Sequence, residues 1–395
     1  MRVAAYSDVE YRRDADGLYA PESFVVFMSR LSSFVDELTL VGRLAPEPGR
    51  SHYRVPPGVG FLDLPHYERL SRPWAAVGAM VRSVRRFRLL LRHVDAVWLL
   101  GPHPLAVAFL VAARLQGKRV VLGVRQDFPS HMRTRHPRRY DIRAAAWVLE
   151  GLWRLMARTH PLVAVGPDLA RRYRGSQVLP IVISLVDEEH VTTREAALGR
   201  DYDGQVRVLS VGRLDPEKNP LLLADVLQRL RAEDPRYQLI VAGDGSMRDE
   251  LAARLAELGV ADHARLLGYM SLDGGLREVY TDSHVFLHVS WTEGVPQVLF
   301  ESFAAGLPVV ATAVGGVPEL ADGRSVLIPP GDPDAAVRAT RSIVADAELR
   351  ADLVDAGLES VRRFSLNSEA ERVAELLTGA GADRPAASGA GPPER

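Results

Sequence analysis

The sequence predicts an α/β fold of two doubly wound parallel-sheet domains, and three observations carry that prediction. Short apolar runs alternate with longer helical patterns along most of the chain, the signature of strands joined by crossover helices. The runs are continuous in Val, Leu, Ile and Ala, as strands covered on both faces require. The pattern stops over residues 186–204 (VDEEHVTTREAALGRDYDG), a polar stretch that reads as a linker, and then restarts. A length of 395 residues fits two domains of ordinary size.

In the first domain, residues 1–185, strands are expected at 3–6, 38–41, 61–64, 96–100, 120–124, 162–165 and 178–183. Among the helices between them, Val77, Met80, Val81, Val84, Phe87 and Leu91 recur at three or four residues and predict a helix over 77–93. In the second, residues 205–365, strands are expected at 206–211, 238–242, 264–267, 285–289, 308–311 and 326–328. A final helix over about 366–378 follows the Phe364-Ser365 break, and the Gly/Ala/Pro-rich tail 379–395 reads as disordered. Two such domains facing each other would place the carboxyl ends of both sheets around a central cleft, where ligands of open parallel sheets bind.

Composition narrows the function. Hydrophobic residues at 47% and charged residues at 25% describe a soluble globular protein and exclude disorder, collagen-like repeats and coiled coil as the main architecture. The absence of Cys excludes disulfides, thiolate metal sites and Cys nucleophiles. No apolar run approaches the ~20 residues of a membrane span, and the first residues lack a signal-peptide core, so the expected location is cytoplasmic, with the inner membrane face as an option. Residues 1–185 hold 28 basic and 15 acidic residues, against 21 and 35 in the remainder. Only Lys118 and Lys218 are lysines, so a lysine here points to a position that wants a point charge.

Four segments of the second half fall at strand ends. In VGRLDPEKNP (211–220), Gly212 permits a sharp turn, and Arg213 and Lys218 suit a diphosphate, Arg as fork and Lys as point charge; the alternative is a solvated loop. In AGDGS (242–246), Gly243 and Gly245 permit close approach of backbone to a ligand, or form an ordinary turn. GYM (268–270) contributes Tyr269 and Met270. The fourth runs from His288 to Leu320. Glu293, Gly294, Val295 and Pro296 form a turn, and a helix over 297–305 starts with Gln297 and Val298 and carries Glu301 along the same side as Glu293. Its N-terminus offers unpaired N–H groups and partial positive charge to an anion. The 312–318 loop, with Gly315 and Gly316, adds further backbone able to approach a ligand.

GRLxxxKN, then GDG, then the Glu-x7-Glu segment with its GxPVVAxxxGGxPE continuation resembles the retaining glycosyltransferases of family 4, which have the GT-B fold. The match spans about residues 205–365 in order and spacing. The resemblance implies that Arg213 and Lys218 bind the diphosphate of a nucleotide-sugar donor, that Glu301 holds the ribose, and that Glu293 faces the sugar hydroxyls. It also implies that the final helix returns to the first domain and that no metal is needed.

The first half departs from that family. The usual Gly-Gly loop after the first strand reads SDVEYRRDADGLYA (7–20), with only Gly17; the usual His-Asp reads Gln126-Asp127; the usual Asn-Gly reads Ser184-Leu185. His103, at the end of the fourth strand, contacts substrate or caps a loop, and Asp127 is a candidate for helping deprotonate the acceptor. His131 and His136 share a segment with Arg133, Arg135, Arg138 and Arg139, either an anion-binding loop or a solvated one. His288, inside an apolar strand, reads as a core histidine, and no histidine has metal-ligand spacing. The 77–93 helix, with Arg82, Arg85, Arg86 and Arg92, reads as a surface helix in preference to a membrane-bound one. The expected function is metal-independent transfer of a sugar, with retention, from a UDP- or GDP-sugar to an acceptor that the basic first half suggests is anionic. The alternatives are a non-catalytic nucleotide-sugar binding subunit and a GT-B sugar-nucleotide epimerase. No nucleic-acid partner is expected.

Overall fold

The computed structural model describes residues 1–67, 73–135, 138–175, 177–184, 186–321 and 323–379. His136, Leu185 and most of the predicted tail lie outside them. The chain divides into two compact units. One comprises Met1–Ala164, Leu169–Pro180 and the stretch from Glu369; the other comprises Val165–Asp168 and Ile181–Ser368.

The first sheet has nine strands: β1 (Arg2–Asp14), β2 (Gly17–Ala20), β3 (Glu37–Leu44), β4 (Tyr53–Arg54), β5 (Gly60–Leu64), β6 (Ala96–Gly101), β7 (Arg119–Val124), β8 (Leu162–Val165) and β9 (Val178–Ile181). Its main order is β5-β3-β1-β6-β7-β8-β9. Successive strands step away from β1 on one side through β3 and β5, and on the other from β6 onward. The reversal between β1 and β6 is the topological switch point.

The expected 7–20 loop is instead strand. β1 continues to Asp14 and turns back into β2, with Asp14 opposite Gly17, after a register shift against β3 between Tyr6 and Glu10. Val9 and Tyr11 are buried and alternate with charged neighbours. A strand covered on one face has that pattern, and the charges mask it in the sequence. Tyr11 packs on Phe61 at 4.8 Å and occupies the space beside Gly42.

The second sheet holds β10 (Val206–Val211), β11 (Tyr237–Ala242), β12 (Ala264–Gly268), β13 (Val285–His288), β14 (Val309–Thr312) and β15 (Val326–Ile328). They run parallel in the order β12-β11-β10-β13-β14-β15, so the switch point lies between β10 and β13. Helices Leu221–Glu233 and Pro333–Ala345 share one core with the sheet. Helices Leu276–Thr281 and Gln297–Ala304 share another.

Residues 186–204, read as a linker, are folded into the second unit. Thr193 caps the short helix Arg194–Leu198 by accepting from the Ala196 N–H at 3.2 Å. Ala197 fills the space beside Gly306, and Thr192 N–H donates to the Ala304 carbonyl at 2.8 Å. Arg200 donates to the carbonyls of Ala305 and Gly306, satisfying the free end of helix Gln297–Ala304. Polar residues that serve as caps leave no apolar periodicity to read. From Glu369, the helix Leu366–Thr378 belongs to the first unit, where Arg119 donates to the Leu376 carbonyl at 2.9 Å and Arg372 to that of Pro180 at 3.1 Å.

Candidate active site

The loops after β10 and β13 meet at the switch point of the second sheet. β10 ends at Val211, and Gly212 turns the chain at φ +156°; nothing stands within 4 Å of where its Cβ would be. Arg213 donates to Asp215 and, at 2.6 Å, to Glu217. A 3-10 turn over Pro216–Lys218 ends at Asn219, which is left-handed at φ +53° before Pro220 leads into the next helix. This reversal aims Lys218 at the neighbouring loop, where Nζ donates to Glu293 Oε1 at 2.5 Å.

Three donors converge on that one oxygen. His288, the last residue of β13, places Nε2 at 3.0 Å from Glu293 Oε1, and Ser290 Oγ donates to it at 2.8 Å. Glu293 is 8% exposed. Burial alone would raise its pKa, but the His288 hydrogen bond and the Lys218 charge dominate and hold it down at about 2. The carboxylate is therefore ionised throughout the physiological range. A carboxylate only accepts, so His288 carries its proton on Nε2. Among the described residues its buried Nδ1 has no hydrogen-bond partner.

These groups line a cavity of about 300 Å³ together with Gly212, Arg213, Val295, Pro296, Gln297 and Val298. Helix Gln297–Ala304 starts at it, and Pro296 provides no side-chain cap, so the positive helix end lies at the cavity wall. Lys218 has three N–H donors, and Glu293 takes one of them.

Glu301 lines a different cavity of about 280 Å³, with Glu189, His190, Thr192, Arg277 and Tyr280. Tyr280 Oη donates to Glu301 Oε2 at 2.8 Å. Burial raises the Glu301 pKa, against the opposing effects of the Tyr280 hydrogen bond and the Arg277 charge. The expectation that the two glutamates share one side thus becomes two separate stations, Glu293 in the loop and Glu301 in the helix, each lining its own cavity.

Residues 195–360 match the family model described as Glycosyl transferases group 1. Over that segment, which holds the second sheet and its loops, the chain carries the group 1 glycosyltransferase pattern. Sulfoquinovosyl transferase SQD2 of Arabidopsis thaliana is 22% identical over 370 residues, covering 89% of this chain and 68% of its own. The D-inositol 3-phosphate glycosyltransferase of Acidothermus cellulolyticus is 34% identical over 197 residues, 47% of this chain and 44% of its own. The chain thus spans about two thirds of the first relative and less than half of the second. The structure of Anabaena Alr3699/HepE in complex with UDP superposes with a TM-score of 0.70 at 16% identity, covering 96% of this chain and 100% of that one. This likeness is one of fold, GT-B, with two Rossmann-like parallel-sheet domains. As a family 4 enzyme the protein is a nucleotide-sugar-dependent glycosyltransferase.

The other sequence candidates of this glycosyltransferase divide sharply. Gly243 and Gly245 make their close approach to protein backbone and not to open space. A Cβ on Gly243 would overlap the Gly212 carbonyl, and one on Gly245 would stand 2.6 Å from the Leu214 carbonyl. Gly315 and Gly316 meet the carbonyls of Glu293 and Gly294 in the same way. Gly294 itself faces open space. Tyr269 is exposed, whereas Met270 is half-buried against the core beneath helix Leu276–Thr281.

In the first unit, His103 caps helix Pro104–Leu115: its Nδ1 accepts from Leu105 N–H at 3.2 Å and lies 2.9 Å from Tyr6 Oη. The proton is therefore on Nε2, 3.3 Å from Asp8, which is also paired with Arg43 and Tyr67. Asp127 caps helix Phe128–Arg135 through Ser130 and pairs with Arg172. Burial would raise its pKa, but those bonds bring it below the usual range, which makes it a poorer base than the sequence suggested. Gln126 is exposed just before that helix, and His131 is half-buried within it. Gly17 sits in the β1–β2 turn with Arg54 beside it.

His288 is the residue whose role the sequence reading missed. Its place at the last position of an apolar strand, with Ser290 and Glu293 following, was the available signal. Tyr280 and Arg277 gave none, because only the fold carries them to Glu301. Among the described residues, Asp187, Glu189 and His190 also place one ligand atom each within 4.8 Å of one another; two of the three are exposed, and such clusters are common without an ion.

Proposed function

We propose that this enzyme transfers a sugar from a UDP-sugar to a hydroxyl-bearing acceptor, with retention of configuration and without a metal ion. The observation that carries the reading is the fixed Lys218 ammonium. Glu293, itself locked by His288 and Ser290, holds Lys218 at the cavity wall beside the first turn of helix Gln297–Ala304. As the donor bond breaks, negative charge grows on the departing diphosphate, and the spare Lys218 donors and the helix end oppose it. Fixed groups of this kind need no reorganisation at the moment of reaction. Glu301 would accept from ribose hydroxyls in the cavity it lines. The UDP bound to Alr3699/HepE supports uridine as the base.

A melting screen with UDP, GDP, ADP and TDP tests the donor. A nucleotide at 100 times its Kd adds about 2.7 kcal/mol of stability; UDP is expected to give the largest shift, and a larger one with GDP would refute the base assignment. The anomeric coupling of the transferred sugar, read by NMR, tests retention, and an inverted product would refute it. Binding of UDP without slow hydrolysis of any UDP-sugar would turn the protein into a binding subunit.

A further inference from the structure

Exposed apolar side chains are distributed unevenly over this enzyme. Among the described residues twelve large apolar side chains are exposed, and ten of them lie in the first unit. Five of those ten belong to one helix, Tyr140–Ala157: Tyr140, Trp147, Val148, Leu152 and Leu155. With the exposed Ala144 and Gly151 they recur at steps of three or four residues, so they form one stripe along a helix of about 27 Å. Trp147 is 62% exposed and Val148 73%.

The single glutamate of this helix points the other way. Glu150 is buried, donated to by Tyr173 Oη at 2.9 Å and by Arg154 Nε at 2.7 Å. A helix on the surface of a soluble domain buries its apolar face and exposes its charge; this one does the reverse along its outer stripe. The margins of the stripe are basic. Arg133, Arg138, Arg139 and Arg158 are exposed around its two ends, and the Arg143 guanidinium lies 5.0 Å from the Tyr140 ring centroid. Residues 128–160 contain seven arginines and two acidic residues. One of the acids is the buried Glu150, and the other, Asp141, is paired with Arg139.

An apolar stripe with aromatic rings and an arginine margin matches the chemistry of an anionic lipid surface: acyl chains for the stripe, phosphates for the guanidinium groups. Pairing with a second copy would bring two arginine margins together. Among the described residues no helix is long and apolar enough to cross a membrane, so the helix would lie in the interface plane. We infer that helix Tyr140–Ala157 docks this enzyme onto anionic bilayers, with Trp147, Val148, Leu152 and Leu155 inserted between the lipids. In the sequence the segment weighed for a membrane surface was 77–93, where a plain surface helix was the preferred reading. There the helix Pro73–Leu90 exposes Val77, Val81 and Leu89, but Arg86 is tied to Asp63. Docking is independent of donor chemistry, so the two readings fail separately.

The test is co-sedimentation of the full chain with phosphatidylcholine vesicles, with and without one third phosphatidylglycerol. Binding is expected only with the anionic lipid. Trp147→Gln with Leu155→Gln should weaken it about tenfold or more. Arg138→Gln with Arg158→Gln should weaken it about tenfold at low salt and less at high salt. Val111→Gln with Leu115→Gln, on another exposed apolar patch, should bind like wild type. All replaced side chains are exposed, so unchanged melting curves and donor hydrolysis verify folding. Absence of binding, equal binding to both vesicles, or undiminished binding by the Trp147/Leu155 variant would overturn the inference. So would a dimer that only this last variant dissolves, with vesicle binding intact.

Discussion

Replacing Glu293 by Gln removes the charge that organises the donor-side cavity while keeping the side-chain shape. In the folded protein the carboxyl is held at about 2, against an ordinary 4.5. A folded-state pKa below the unfolded one contributes stability that is fully present above the unfolded value and is lost as pH falls toward the folded one. The shift corresponds to about 3 kcal/mol near pH 7, declining to about 1.5 kcal/mol at pH 3. Glu293→Gln should therefore destabilise by roughly this amount at neutral pH, and the gap to wild type should halve by pH 3. Urea unfolding of both proteins at pH 7, 5, 4 and 3 measures it. The other carboxylates titrate alike in both proteins and cancel in the difference. A difference that is constant with pH, or a variant more stable than wild type at pH 7, would refute the assignment of a buried, triply bonded carboxylate.

Lys218→Ala should lower kcat by about 100-fold or more, because Lys218 is the cation set at the leaving group; unchanged steady-state turnover refutes that role. Gly315→Ala should destabilise by about 2 kcal/mol or more, since its Cβ overlaps the Glu293 carbonyl at a left-handed φ of +54°. Gly294→Ala, with open space around it, should change the urea midpoint little. Tyr280→Phe leaves Glu301 with one donor fewer. Because burial already raises the Glu301 pKa, the folded state holds its proton longer than the unfolded state, and stability falls as pH rises past the ordinary carboxylate range. The variant should therefore lose about 1 kcal/mol at pH 7 and less at pH 4, again by urea unfolding.

The second sheet was legible because its strands are short, mainly apolar runs, the first three of them closed by Gly212, Gly243 and Gly268, and six such runs became β10–β15. Lys218 and Glu293 were legible as residues, but their partnership was not, since 75 positions separate them. His288 was hidden by its own strand: its apolar neighbours argued for core, and the strand end that opens onto a cavity is a fact of topology. The glycines misled in a different way. A Gly in a loop after a strand permits close approach, but the sequence does not say to what. The β1–β2 hairpin was obscured by Asp8, Glu10, Arg12 and Arg13, whose charges interrupt the apolar run around the buried Val9 and Tyr11.

The interlocked loops bear on how this enzyme could change its donor. Gly243 and Gly245 are wedged on the loop after β10, and Gly315 and Gly316 on the loop after β13. Trp291 N–H donates across to the Glu217 carbonyl at 2.9 Å, fastening the latter two loops to each other. The loops that line the cavity are thus held by backbone clasped to backbone, and substitutions at these glycines would break the clasp before they altered a contact with ligand. Gly212 and Gly294 are different, because a side chain grown at either would enter open space. Selection for a new donor would meet a closed wall at four glycines and an open door at these two.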